Sequence, residues 1–399
     1  MQTPTKGCLK DVNIFTRCRG IFFGFMLLLC SLYGCYIIML FLPFLIFNHH
    51  RLWRVSVDRG IGFWLLLPIS LMDFLFGTKF SVMGDPIVAT EPALIIMNHR
   101  TRLDWMHFWS ALYKINPWLL TTEKITLKAQ LQNLPGAGWA MAANAFIFLQ
   151  RSRETDSERL AEAIDYYSDL NMNYQLLFFP EGTDKSPGTT ERSNEYAKKN
   201  GLKPYEYLIH PRTAGFVYLL NKMRRTNYIK CIYDVTIAFP ERIVQSELEL
   251  GLTGVAPQSV HFDIHRIDIA DVPKEEDAVC NWLNKLWRQK EEKLRAFYEK
   301  PVGKRSFTPR GTDIVWPVKD TGLHFAVKTF SMSLWLCVLC MWTYHTFTLP
   351  FIQCCLFTAV VTYLVIRKVY GGTILQSSVI IIIITIIDAR QQLNSSSTS

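Results

Sequence analysis

Ala93-Leu94-Ile95-Ile96-Met97-Asn98-His99-Arg100-Thr101-Arg102-Leu103-Asp104-Trp105 is the stretch on which the fold turns. Five apolar residues, bounded by Pro92 and Asn98, have the length of a buried strand. A polar loop follows, and Trp105, Phe108 and Trp109 then recur at helical spacing. A strand, a short loop and a helix in this order are one step of an α/β architecture. In an open parallel sheet, ligands bind beyond the carboxyl ends of the strands. His99 is therefore expected at the mouth of a sheet, with Asp104 in the first turn of the next helix. A carboxylate folded back onto an imidazole fixes the ring tautomer and stabilises the imidazolium formed on proton uptake. Such a dyad suits general-base catalysis, which contributes roughly 10²–10⁴-fold.

Further short apolar runs repeat the pattern. Phe146–Leu149, Leu176–Phe179 and Val235–Phe239 read as buried strands, and Val260–Arg266 alternates like an outer strand. Leu160, Ile164 and Tyr167 share one helical face, as do Val217, Leu220 and Met223. The expected fold is α/β, a mostly parallel sheet flanked by helices, over residues 80–310. Val279, Trp282, Leu283, Leu286, Trp287, Leu294 and Phe297 mark a long amphipathic helix, which suits either a membrane surface or packing on the domain.

Apolar sequence is concentrated at the two ends. The chain has 399 residues, 49% hydrophobic and 19% charged, with a mean hydropathy of +0.12. That is too apolar for an ordinary soluble protein. After a polar segment over 1–20, Ile21–Phe47 is an uncharged run long enough to span a bilayer. Ile61–Phe76 is shorter, contains Pro68 and Asp73, and reads as a second span, a re-entrant piece or an interfacial helix. Together they make an anchor over 21–79. Phe330–Leu349, Phe351–Ile366 and Ile374–Ile387 make a C-terminal set of hydrophobic helices over 330–387. The polar tail, 388–399, is expected to be disordered, and its Asn394-Ser395-Ser396 sequon is usable only in the lumen.

The net charge is +9, which favours anionic partners. There is no nucleic-acid motif and no long basic run, so anionic lipid and phosphorylated substrates are the expected partners. Of ten cysteines, six lie in apolar segments, and no disulfide framework is spaced out. Nine histidines, clustered only at His49-His50 and His261/His265, do not make the His-rich boxes of a di-iron membrane enzyme. His261 and His265 are expected as a surface pair on one strand face. No metal and no cofactor are expected.

Four blocks in order resemble the glycerolipid acyltransferase superfamily. They are His99-x-x-x-x-Asp104; Ala145–Arg151; Phe179-Pro180-Glu181-Gly182-Thr183; and Val235–Pro240. The fuller strings NHRTRLDWM, LPGAGWAM, FPEGTD and HPRTAGF resemble its lysocardiolipin/lysophosphatidylinositol acyltransferase branch. The resemblance implies a membrane-bound enzyme of the endoplasmic reticulum with a cytosolic active site. It would move an acyl group from acyl-CoA, as co-substrate, onto a lysophospholipid hydroxyl. It assigns the proton transfer to His99 and the orienting role to Asp104. Arg151 would hold the substrate phosphate, for which an arginine fork is suited. Glu181, with Gly182 and Thr183, would meet the acceptor head. Lys124, Lys128 and Arg212 are further candidates for phosphate binding. The family often has Arg after Thr183, whereas this chain has Asp184; one phosphate-binding cation is missing, which favours a larger diester headgroup. The alternatives are a phosphatidate-forming lysophosphatidic acid acyltransferase, a CoA-independent transacylase and a non-catalytic lipid-binding membrane protein.

Overall fold

The computed structural model describes residues 12–370 apart from 42, 45, 46 and 48. Two long helices come first: α1 (Ile14–Met39), capped by the Asn13 side chain, and α2 (His50–Phe74). Next come β1 (Lys79–Gly84), β2 (Ala93–Met97) and α3 (Asp104–Ile115). Strand β3 (Glu123–Lys128), α4 (Ala137–Ala143), β4 (Ile147–Leu149), α5 (Arg153–Asp169) and β5 (Gln175–Phe178) continue the alternation. They are followed by α6 (Pro187–Lys199), α7 (Thr213–Arg225), β6 (Cys231–Ala238), α8 (Glu247–Thr253) and β7 (Ser259–Asp268). The chain continues through α9 (Glu276–Tyr298), β8 (Ile314–Trp316), α10 (Gly322–Thr348) and α11 (Pro350–Tyr370).

The strands form one eight-stranded sheet in the order β4-β3-β5-β2-β6-β7-β1-β8. Five pairings are parallel and two, β6–β7 and β1–β8, are antiparallel. The expected α/β fold with a mostly parallel sheet is what forms. The outer-strand reading of Val260–Arg266 is corrected: β7 lies inside the sheet, between β6 and β1. Its alternation comes from Asp263 and the later polar residues, which pair locally with Lys293, Asp85 and Glu91, not from an open edge.

Side-chain alternation along β2 shows how the sheet is covered. Ala93, Ile95 and Met97 pack into a core with α1, α2, α3 and α10. Leu94 and Ile96 pack into a second core with α5, α7 and α9, where Leu160, Leu220, Leu283 and Trp287 meet. Burial on both faces explains why the run ALIIM has no polar interruption. The apolar face of α9 is spent on this second core, so the helix packs on the domain.

The long apolar helices on either side of the sheet region pack against it. Helices α1, α2 and α10 are long and apolar enough to cross a membrane. The second apolar stretch is not a short piece: it belongs to a 25-residue helix that carries Pro68 without a break and begins with His50. The most apolar part of α2 is 67% buried within the protein, against 22% for α10. Helix α1 starts at Ile14, ahead of its apolar run, where Asn13 and Thr16 form a capping box, and its first turns dock at Gly254 after α8. The Arg19 guanidinium donates to Gly254 O at 2.7 Å and 3.1 Å. Gly254, at φ 63°, lies so close to Thr16 O that a Cβ would collide with it. Where α2, α3 and α10 converge, Lys328 meets Asp73 at 3.0 Å and Asp320, while Lys114 meets Asp320 at 3.2 Å. The third C-terminal apolar run, Ile374–Ile387, and the 388–399 tail with its sequon lie outside the described residues, as does most of the first polar segment.

Candidate active site

The C-terminal edge of four adjacent parallel strands gathers most of the expected site. Pairing registers put Leu149, Lys128, Pro180 and Asn98 at nearly one height, on β4, β3, β5 and β2. Arg151, Lys128, Glu181 and His99 therefore succeed one another along a single edge. With about 4.8 Å between strands, His99 and Arg151 are separated by three spacings, roughly 14 Å.

His99 and Asp104 meet as the loop predicts. Nδ1 of His99 lies 3.1 Å from Oδ2 of Asp104, with the imidazole 17% exposed and the carboxylate fully buried. Asp104 is saturated by its own loop. Its Oδ2 accepts from the Arg100 and Thr101 N–H groups at 2.5 Å and 2.9 Å, and its Oδ1 from the Thr101 hydroxyl at 2.8 Å. Position five after His99 begins α3, so the carboxylate also sits at a helix N-terminus, where negative charge is favoured. A saturated carboxylate has one geometry to offer the imidazole. It accepts Nδ1–H, which leaves the Nε2 lone pair uncommitted. The ring is held from its face by Phe179, with centroids 4.2 Å apart.

The third block is clipped to this loop. Lys185 N donates to His99 O at 2.8 Å, and Gln245 Nε2 reaches Arg100 O, Asp184 Oδ2 and Lys185 O, each at 3.2 Å. Asp184, which stands in place of the common arginine, is engaged by Gln245 and Arg102. Gly182, at φ 71°, is placed so that a Cβ would come within 3.2 Å of the Arg212 side chain, and Arg212 N donates to Pro180 O at 2.7 Å. Thr183 is half-buried in the same turn. Arg212, Lys128 and Arg151 are all exposed. Arg151 adopts φ 68°, unusual for a residue with a side chain, and its N–H is fastened by Asp156 at 2.8 Å. The turn is thus set by the backbone and the guanidinium is left to the surface.

Lys124 does not join this edge. It pairs with Leu176, the level of Leu94, so it sits about 16 Å down the sheet from His99. Its ammonium is fully buried between Asp58 Oδ1 and Asn144 Oδ1, each at 2.9 Å, and over the Tyr174 ring. Asp58 also accepts from Arg54 at 3.0 Å and from the Tyr174 hydroxyl at 2.6 Å. Lys124 and Lys128 lie on one strand, β3, where their four-residue separation puts only Lys128 at the carboxyl edge, so Lys124 is not part of the expected phosphate pocket.

Glu181 is the other surprise. It is 1% exposed, its Oε1 accepts from the Trp287 indole at 3.2 Å, and Lys290 lies alongside. Lys290 is itself fully buried, with Asp234 Oδ1 and Val235 O both 2.6 Å from its ammonium. One signal of this was in the sequence: Lys290 and Glu291 fall on the face set by Val279, Leu283, Trp287 and Leu294, where apolar residues belong. Glu291 accepts from the N–H groups of Glu206, Tyr207 and Leu208 and so shapes the approach to Arg212.

The histidine pair resolves into two separate environments. His261 is half-buried against Phe297, while His265 is exposed beside Asp85. His261 also lines a cavity of about 620 Å³ beyond β6, together with Arg19, Phe76, Lys79 and Arg242, and the dyad is not part of it. Among the described residues no group of acidic, histidine or cysteine side chains is placed to hold a metal ion.

Comparison with known proteins shows the family. Residues 79–239 match the family model described as Acyltransferase, and residues 251–328 the one described as Acyltransferase C-terminus. The chain is 48% identical over 336 residues to lysophosphatidylinositol acyltransferase 10 of Caenorhabditis elegans, which covers 84% of this chain and 86% of that protein. It is 40% identical over 357 residues to lysocardiolipin acyltransferase 1 of Gallus gallus, covering 89% and 92%. A more distant relative is a probable 1-acyl-sn-glycerol-3-phosphate acyltransferase 5 of Arabidopsis thaliana, at 33% over 245 residues, 61% of this chain and 64% of that one.

Proposed function

This chain belongs to the acyltransferase family, in its lysophosphatidylinositol and lysocardiolipin acyltransferase branch, and on that premise we propose the following reaction. An acyl group passes from acyl-CoA to the free hydroxyl of a lysophospholipid whose phosphate is a diester, of the lysophosphatidylinositol or lysocardiolipin kind. Nε2 of His99 takes the hydroxyl proton as the oxygen attacks the thioester carbonyl carbon. The tetrahedral intermediate collapses, the C–S bond breaks, and the imidazolium returns its proton to the CoA thiolate. Asp104 holds the tautomer and offsets the charge on the ring throughout.

The observation that carries this reading is the 3.1 Å contact between His99 Nδ1 and an Asp104 whose other acceptor positions are already filled. Arg212, Lys128 and Arg151, exposed along the same edge, surround the acceptor phosphate and the CoA phosphates. An edge this long, about 14 Å from imidazole to Arg151, suits two phosphorylated ligands whose reacting ends meet at His99. The engagement of Asp184 by Gln245 and Arg102 supports a diester acceptor over a small terminal phosphate. Acyl-CoA serves as co-substrate with no further cofactor. The enzyme works at the endoplasmic reticulum membrane with its site toward the cytosol.

The test is incorporation of labelled acyl-CoA in isolated membranes against a panel of lysophospholipids. Lysophosphatidylinositol and monolysocardiolipin are expected to exceed lysophosphatidic acid, and His99→Ala to remove the incorporation. Equal incorporation by wild type and His99→Ala ends the catalytic proposal, and transfer persisting without acyl-CoA points to a transacylase.

A further inference from the structure

Glu181 is sealed away from the edge that its neighbours line. Its carboxyl is 1% exposed, one oxygen is taken by the Trp287 N–H at 3.2 Å, and the other, also buried, has no hydrogen-bond partner among the side-chain contacts. The turn that carries it also carries Phe179, the ring stacked on His99, and Lys185, whose N–H holds His99 O. From the far side, Lys290 stands on Asp234 and Val235 O and lies 4.7 Å from the Trp287 ring centroid. The residue is therefore packed between the His99 loop and α9.

We propose that Glu181, braced by Trp287 and Lys290 of α9, is a positioning residue that sets the His99 loop and does not touch the lysophospholipid. This inference rests on the acyl-transfer reading above and deepens it by moving one residue out of the acceptor site. Its physical basis is the cost of burying charge. Groups facing the carboxyl are Lys185 on its own loop, the His99 backbone N–H from the β2 side, and Trp287 and Lys290 from α9. Burial outweighs their combined pull and pushes the carboxyl up to about 8, so it is held mostly as the neutral acid at pH 7. A neutral acid still accepts from the Trp287 N–H and places no full negative charge beside a lipid phosphate, as an ionised carboxylate would. It serves as a strut between α9 and the catalytic loop, and the repulsion expected of a carboxylate next to a phosphate does not arise.

The experiment uses the full chain in membranes, with labelled oleoyl-CoA and lysophosphatidylinositol as probes. Glu181→Ala is expected to lower kcat about 10²-fold, the scale of a slightly misplaced catalytic group, with KM for the lysolipid within about twofold. Glu181→Gln, which keeps both a donor and an acceptor, is expected to recover most of that loss. Trp287→Phe is expected to lower kcat roughly tenfold, and combining it with Glu181→Ala to cost little beyond Glu181→Ala alone. If Glu181→Ala yields no folded protein, the Gln and Phe variants decide. A KM that rises tenfold or more in any of them, with kcat held, overturns the proposal and returns Glu181 to the acceptor site. A wild type that acylates no lysolipid overturns the acyl-transfer reading itself, a result distinct from a shifted KM in an active enzyme.

Discussion

Asp104 and Asp58 are both buried aspartates that accept several hydrogen bonds, yet they anchor opposite ends of the sheet to opposite purposes. Asp58 is shared by Arg54, Lys124 and Tyr174, and every charge around it is shut inside, with Lys124 and Arg54 wholly unexposed. Asp104 spends three acceptor contacts on its own loop and one on an imidazole that is 17% exposed. A set of ions shut inside the protein has no atom turned toward a ligand. A set that ends in a partly exposed imidazole keeps one basic nitrogen to offer, which is what the proposed proton transfer needs. The difference is not burial of the carboxylate but whether the chain of partners ends inside the protein or at its mouth. The Asp58 cluster joins α2 to β3 and to the residue that leads into β5, so it fixes this long apolar helix to the sheet.

The largest expected effect separates the two ends outright. His99→Ala should lower acyl transfer by roughly 10³-fold, within the range of a lost general base, and leave the amount of folded protein unchanged. Detergent-solubilised protein assayed for both activity and thermal unfolding would show it. A variant that loses stability and activity together would erase the contrast. Asp58→Ala should do the reverse. Removing one partner from a buried ionic cluster costs on the order of 3–5 kcal/mol, here leaving Arg54 and Lys124 uncompensated. Thermal unfolding should fall sharply while activity per folded molecule holds; a selective loss of kcat would place the cluster in the chemistry after all.

Arg212 and Lys124 sharpen the comparison between an open cation and a sealed one. Arg212→Ala should raise the KM for the lysophospholipid about tenfold, the order of one charge-assisted hydrogen bond, at little cost in stability. Lys124→Met should destabilise the protein and leave that KM within about twofold. Identical kinetic profiles for the two variants would dissolve the distinction. A further test reads a slope against pH. Glu181 has a folded-state value of about 8 against an ordinary 4.5, so the native state binds the extra proton between them. Its contribution to stability is fully present below about pH 4.5 and is lost as the pH rises to about 8. Wild type should therefore lose stability relative to Glu181→Gln across that window and run parallel to it outside. Unfolding midpoints of the two proteins that stay parallel from pH 4.5 to 8 would show a carboxyl already ionised.

Read along the chain, the local sequence determined what short-range physics can determine. ALIIM is a strand because it is buried on both faces; Asp104 returns to His99 because five residues and a helix start leave it close. The four blocks arrive at one edge because parallel strands put every carboxyl end on the same side, and that brings Arg151 and the Glu181 turn together; Lys128 joins them at the end of a strand, Glu123–Lys128, that the apolar runs do not reveal. Sheet order was beyond reach, since the partners of a strand are chosen by packing across the whole domain. Thus β7 alternates like an edge strand and lies inside. The height of a residue along its strand was equally hidden, which is why Lys124 looked like part of the phosphate cradle. Only the tertiary structure assigned the buried charges. Whether a lysine, an arginine or a glutamate goes inside depends on a counter-group far away in sequence, as Asp58 is for Lys124 and Trp287 for Glu181, and periodicity carries no information about partners at that distance.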